Sequence, residues 1–169
     1  MAVDGLNVTL ADKAAVLEGL PDHPALKAIL SAIPEALVDA RYDRGELTLT
    51  ITPEQIVPAC RTVLAVGYNA FQDVTAVDWY PSTPRFQLSY HILSHAHKEL
   101  IRLRVLVDEA NPAVESITCV WAGANYYERE VFDLFGIRFE NHPNLRRILM
   151  PEEWEGHPLR KDYPVEGYR

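Results

Sequence analysis

The side chains able to do chemistry crowd between Tyr126 and Asp162. That stretch holds Glu128, Arg129, Glu130, Asp133, His142, Arg146, Arg147, His157, Arg160, Lys161 and Asp162, punctuated by Gly136 and Pro143. Glu130 and Asp133 are spaced i, i+3, which places them as neighbours on one helical face. Two close carboxylates can bind a metal or share a proton, and His142 or His157 could complete a mixed oxygen–nitrogen set. The Glu-x-x-His spacing of di-iron helices is missing, however. Glu128 and Glu130 also suit the first turn of a helix, where a carboxylate meets the positive end of the dipole. Helix electrostatics and ion pairing are the favoured reading. Arg129, Arg146, Arg147, Arg160 and Lys161 could grip phosphate or nucleic acid, yet no glycine-rich phosphate loop or aromatic RNA-binding signature accompanies them. Acids interleave with these bases, so salt bridges within the chain or across an interface explain them better. The planar fork of arginine suits such pairing.

Other candidates are weaker. His91, His95 and His97 cluster at a strand end without a carboxylate or cysteine nearby in sequence, and read as a solvated turn. Cys60 and Cys119 are far apart, and neither has a second ligand at metal spacing. A zinc site or an iron–sulfur cluster needs four ligands. Both thiols therefore read as buried or half-buried, in a reducing compartment. GxSxG is absent, as is a distinguishing context for a cysteine nucleophile. The chain taken alone looks catalytically empty, with no catalytic, cofactor-binding or metal residues expected.

Twenty-four acids against 16 bases give a net charge of −8. That balance argues against non-specific binding to nucleic acid or to anionic lipid headgroups. With 48% hydrophobic residues, disorder is not the default. No stretch approaches the ~20 apolar residues of a spanning helix. The first residues show no basic and then apolar signal segment. A soluble protein is expected, with membrane association only through a partner.

The elements that would position these groups read as α+β: an antiparallel or mixed sheet covered by helices, with an extended, irregular C-terminal tail. Residues 10–32 have helical spacing, split by Pro21 and Pro24. Leu37–Tyr42 and Glu46–Thr52 form a hairpin across Asp43-Arg44-Gly45. Thr52-Pro53-Glu54 opens a helix that runs to Val66 and stops at Gly67. Phe71–Trp79, Arg85–Leu93 and Glu99–Val107 make an antiparallel meander. Ser116–Trp121 is a short helix or a strand. Asn125 caps a helix from Tyr126 to Phe135 that Gly136 ends in left-handed conformation, and Ile137–Phe139 is extended. The body spans 1–140 and the tail 141–169, with Leu145–Leu149 a single helical turn. So long a segment without regular structure is unusual inside a domain, and becomes natural along a neighbour's surface.

The run from Trp121 to Phe139 resembles the signature of the 30 kDa subunit family of the NADH–quinone oxidoreductases (complex I). The match centres on Glu128-Arg129-Glu130, Asp133, Leu134-Phe135 and Gly136-Ile137. It continues through His142-Pro143, Leu145–Leu149 and Gly156–Pro164, and reaches back to Asp78–Pro81 and Arg85-Phe86. Tyr126, Asn141 and Asn144 depart from the usual Trp, Gly and Asp of the pattern.

The resemblance implies a cofactor-free scaffold subunit of the peripheral arm, bound to the 49 kDa subunit beside the quinone pocket and to neighbouring arm subunits. The motif residues from Glu128 to Asp162 would form its partner interface. FMN and iron–sulfur clusters would sit in other subunits and carry electrons from NADH to quinone, coupled to proton translocation. The complex would lie on the cytoplasmic side of the inner membrane. An equivalent subunit of a membrane-bound hydrogenase or hydrogenlyase is the alternative, disfavoured by a free chain that ends soon after Pro164. A metal-dependent enzyme using Glu130, Asp133, His142 and His157 is the third reading.

Overall fold

A computed structural model gives the fold and describes residues 22–167. The helical piece expected before Pro21 lies outside the described residues. Helix α1, Pro24–Ala32, starts with proline at its first position, where the missing N–H costs nothing, and the His23 ring accepts from Ala25 N–H at 3.3 Å. The hairpin of β1, Leu37–Asp43, and β2, Glu46–Ile51, turns at Arg44 and Gly45. Both turn residues are left-handed, at φ 53° and 84°, which matches the twist of the flanking strands. A 3-10 turn, Pro53–Gln55, leads into α2, Ile56–Ala65. Thr52 occupies the cap position, but its side chain makes no capping bond.

Strands β3, Ala70–Asp78, β4, Phe86–Ser94, and β5, Glu99–Val107, form the expected meander. The sheet order is β1-β2-β5-β4-β3, and β2 runs parallel to β5, so the sheet is mixed. Alternation sorts its two faces. Leu49, Leu103, Tyr90 and Val74 are successive neighbours across the inner face, and all are buried. Helices α1 and α2 contribute Ile29, Ile56, Cys60 and Val63 to the same core. Thr48, Arg102, His91 and Asp73 lie in register across the outer face and are half-buried.

Ser116–Trp121 contains a 3-10 turn, Ile117–Cys119. Strand β6, Ala113–Glu115, precedes it and pairs in parallel with β7, Arg138–Glu140. Between them, α3 runs Ala124–Phe135 and packs along the sheet edge at β3. The helix begins earlier than expected, and Asn125 lies inside it rather than capping it. The preceding turn already satisfies the first donors: Ala124 N–H bonds Trp121 O, and Asn125 N–H bonds Ala122 O. Gly136 ends the helix at φ 73°, as expected.

Residues 141–167 hold no helix or strand. The helical turn expected at Leu145–Leu149 does not form. Its backbone donors and acceptors are taken by side chains of α3, so the i to i−4 bonds of a helix have no groups left to use.

Candidate functional site

Three buried charged groups organise this region, and two of them, Asp133 and Arg85, hold the irregular segment against the body. The first is Asp133, fully buried on α3. Its Oδ2 accepts from the backbone N–H of Ile148, Leu149 and Met150 at 3.0, 2.7 and 2.9 Å. Its Oδ1 accepts from Arg147 Nη1 at 2.7 Å. Burial by itself would raise this carboxyl, but the three N–H groups and Arg147 outweigh it and hold the pKa below the ordinary value. Arg147 also donates to the carbonyls of Trp154 and Gly156, at 2.8 and 3.0 Å. Arg129, one turn earlier on α3, donates to the carbonyls of Arg146 and Arg147.

The second is Glu128, also fully buried. It accepts from Ser116 Oγ at 2.6 Å and from Ile117 N–H at 2.8 Å, tying α3 to the 3-10 turn. Burial pushes its pKa up to about 7 against these two bonds. His142 Nε2 lies 3.8 Å from Glu128, but it also faces Asn125 O at 3.3 Å, and Nδ1 accepts from Asn144 N–H. Burial lowers the His142 pKa, so the neutral imidazole is the form held, and the contact is not a strong ion pair.

The third is Arg85, 2% exposed at the start of β4. It meets Asp78 twice, at 2.9 and 2.7 Å, and Asp162 twice, and donates to Glu109. Asp78 in turn accepts Lys161 N–H and Tyr80 N–H, both at 2.9 Å. Although burial raises the Asp78 carboxyl, these donors pull it down to about 2. The bonds from Asp78 and Asp162 raise the pKa of Arg85. Between the Asp133 and Arg85 clamps, His157 Nδ1 donates to Asp133 O at 2.9 Å, and Arg160 bonds Phe135 O and stacks on Phe86. Burial lowers the pKa of His157, which keeps it neutral in this role.

The expected residues thus divide. Glu128, Arg129, Asp133, His142, Arg147, His157, Arg160 and Asp162 make bonds within the chain. Gly136 gives them room: a Cβ there would sit 2.5 Å from the His157 ring and 2.8 Å from Arg160 Nη2. The side chains of Glu130, Arg146 and Lys161, with Pro143, face solvent, and those three charges have no partner among the described residues. Glu130 and Asp133 do not form a carboxylate pair, since one is exposed and the other buried. Neither Glu128 nor Glu130 lies in the first turn, because the helix starts at Ala124. Among the described residues no group of three or more His, Cys, Asp or Glu is gathered as metal ligands.

Two further corrections concern isolated residues. His91 is not in a turn; it lies on β4 between Asp73, at 2.6 Å, and Arg102 Nε, at 2.9 Å. The carboxylate partner is distant in sequence and adjacent only through strand pairing. Cys119 is exposed, while Cys60 is buried, and burial raises its thiol pKa. Arg85, Asp78 and Ser116 were missing from the expected site. The available signal was opposite charge at both ends of a Pro-bounded loop, Asp78 and Arg85.

Apolar side chains stay exposed around the clamped segment: Tyr126 at 64%, Leu149 at 60% and Leu159 at 52%, with Trp79, Tyr80 and Trp154.

Residues 49–169 match the family model described as the 30 kDa subunit of respiratory-chain NADH dehydrogenase. An NADH-quinone oxidoreductase subunit from Roseiflexus sp. (strain RS-1) is 44% identical over 149 residues, covering 86% of each chain. Its counterpart from Geobacter sulfurreducens is 46% identical over 134 residues, covering 78% of this chain and 83% of its own. A solved structure described as a trypsin-resistant fragment (1-134) of Nqo5 is 30% identical, with a TM-score of 0.63. It covers 72% of this chain and 99% of the fragment. A chain of an archaeal membrane-bound sulfane sulfur reductase shares the fold, with a TM-score of 0.71 at 24% identity.

Proposed function

The chain belongs to the 30 kDa subunit family of respiratory-chain NADH dehydrogenase, and from that premise we propose that it is a cofactor-free scaffold whose segment 141–169 docks on the 49 kDa partner of the same complex. Membership makes it part of a multisubunit oxidoreductase. The observation that carries the scaffold reading is the use of the motif charges. Asp133, Arg147, Arg129 and Asp162 tie one part of the chain to another, while the side-chain charges of Glu130, Arg146 and Lys161 are exposed and without a partner among the described residues. Exposed aromatic and apolar side chains together with unpaired charges are the groups a protein interface uses.

In this reading FMN and iron–sulfur clusters in other subunits carry electrons from NADH to quinone, coupled to proton translocation. The chain shapes the arm that holds them. Among the described residues no helix is long and apolar enough to cross a membrane. The chain is held at the cytoplasmic face of the inner membrane by its partners.

The test is purification of the complex through a tag on this chain. NADH–quinone oxidoreductase activity should co-purify, with the 49 kDa partner cross-linked to Arg146 or Lys161 positions. Co-purification with a nickel–iron large subunit instead would assign the chain to the hydrogenase branch. A chain that purifies alone, carrying a stoichiometric flavin or metal, would overturn the scaffold reading.

A further inference from the structure

The hairpin end of the outer face of the five-stranded sheet gathers arginines and acids in one place. Four of the twelve arginines, Arg41, Arg44, Arg102 and Arg104, line one depression of about 410 Å³ there, in a chain of net charge −8. Strand pairing creates the cluster. Arg102 and Arg104 face outward from β5, parallel to Thr48 and Thr50 of β2, and the β1–β2 hairpin brings Arg41 and Arg44 alongside.

Arg104 is anchored by Asp39 at 3.1 Å and by Thr50, and Arg102 by His91 at 2.9 Å, while the remaining contacts of the cluster are weak. Arg41 pairs with Asp43 at 3.2 Å, with both side chains more than half exposed. Arg102 pairs with Glu46 at 3.2 Å, where the acid is 50% exposed. Exposed pairs of this kind add little to stability, so a partner's carboxylates can replace them. Arg44 has no ion pair or hydrogen bond among the described residues. It also sits at φ 53°, in a turn position where Asn or Gly is the low-cost choice. A side chain kept at such a strained position without an internal contact points to an external one.

We propose that this arginine-lined outer face docks an acidic segment of a neighbouring subunit, separate from the one the clamped segment meets. The proposal rests on the chain being a subunit of an assembled complex. Guanidinium forks match carboxylates in pairs, and Asp43 and Glu46 at the rim set the register of an incoming mixed-charge strand. A lipid surface fits less well. It is a polyanion of low curvature, and the net negative chain repels it outside this small depression.

The experiment places the photo-reactive residue p-benzoylphenylalanine at position 44 of the full chain, in the purified, assembled complex. Irradiation should give one main cross-link, to a net acidic peptide of another subunit. A cross-link to lipid, to a second copy of the chain, to residues 1–21, to a neutral or basic segment, or to nothing would overturn the proposal. In parallel, Arg41→Glu with Arg44→Glu should lower retention in the complex at least tenfold at physiological salt, while Arg41→Lys with Arg44→Lys retains most of it. The thermal melt of the isolated Glu variant should match wild type, which separates docking from folding. Equal retention of both variants beside an assembling wild type contradicts this inference alone. A wild-type chain that fails to assemble contradicts the proposed function, and this inference with it.

Discussion

Glu128 and Asp133 are both fully buried on one helix, yet their environments move them in opposite directions. Asp133 receives three backbone N–H groups and an arginine, whereas Glu128 receives one hydroxyl and one N–H with no cation. Burial therefore wins at Glu128 and loses at Asp133. Glu128 titrates at about 7 in the fold against 4.5 ordinarily, so the folded chain binds the extra proton between those values. Its contribution is fully present below pH 4.5 and falls by on the order of 3 kcal/mol as pH rises through 7. Glu128→Gln should remove that slope in urea denaturation at pH 5 and pH 8, and an unchanged slope would refute the assignment. Asp133 has the reverse sign. Its stabilisation is present above the unfolded pKa and is lost as pH falls through the lowered folded one. Asp133→Asn should cost about 3–5 kcal/mol, because it leaves Arg147 unpaired near the core. It should also speed hydrogen exchange at Ile148, Leu149 and Met150.

Helix α3 acts as a spine with ties in both directions: Glu128 fixes the 3-10 turn before it, and Asp133 fixes the irregular segment after it. Its end must be sharp, because His157 and Arg160 occupy the space where a Gly136 side chain would stand. Gly136→Ala should cost about 1–3 kcal/mol from left-handed strain and the displaced ring. Denaturation midpoints measure that cost, and a loss below half a kcal/mol would show that the ring moves freely. The sheet behaves differently, as its stability comes from apolar contact. Leu103, central and fully buried, should lose about 2–5 kcal/mol as Leu103→Ala.

The bonds that join the body to its irregular segment gather at Asp133 and, at the far end, around Arg85, which bonds Asp162 twice beside Asp78 and Lys161 N–H. Arg146 and Lys161 are exposed on irregular backbone, the combination proteases favour. In the isolated chain trypsin should cut there first and leave the sheet body intact, and assembly should protect both sites. Equal cleavage rates in the two states would remove the docking role of the segment. Arg85→Met leaves Asp78 buried without its cation and should speed cleavage after Lys161 at least tenfold. From the sequence, a neighbour's surface is expected to order this segment. The chain supplies part of that surface itself, through Asp133 and Asp78.

The β3–β4–β5 meander, the hairpin at Arg44-Gly45 and the Gly136 helix stop were readable from period, turn residues and glycine placement, because each is a local preference, whereas the choice between an antiparallel and a mixed sheet stayed open until β2 paired with β5. Three features were not readable: the start of α3 at Ala124, the loss of a helical turn at Leu145–Leu149, and the partnership of Asp73 with His91. Each depends on a group elsewhere in the fold that competes for the same hydrogen bond. The candidate site divides in the same way. Its residue types and crowding were plain in one dimension. Which charges lock the chain to itself and which face outward was settled only by burial, since an arginine's role is fixed by the carboxylates folding brings to it.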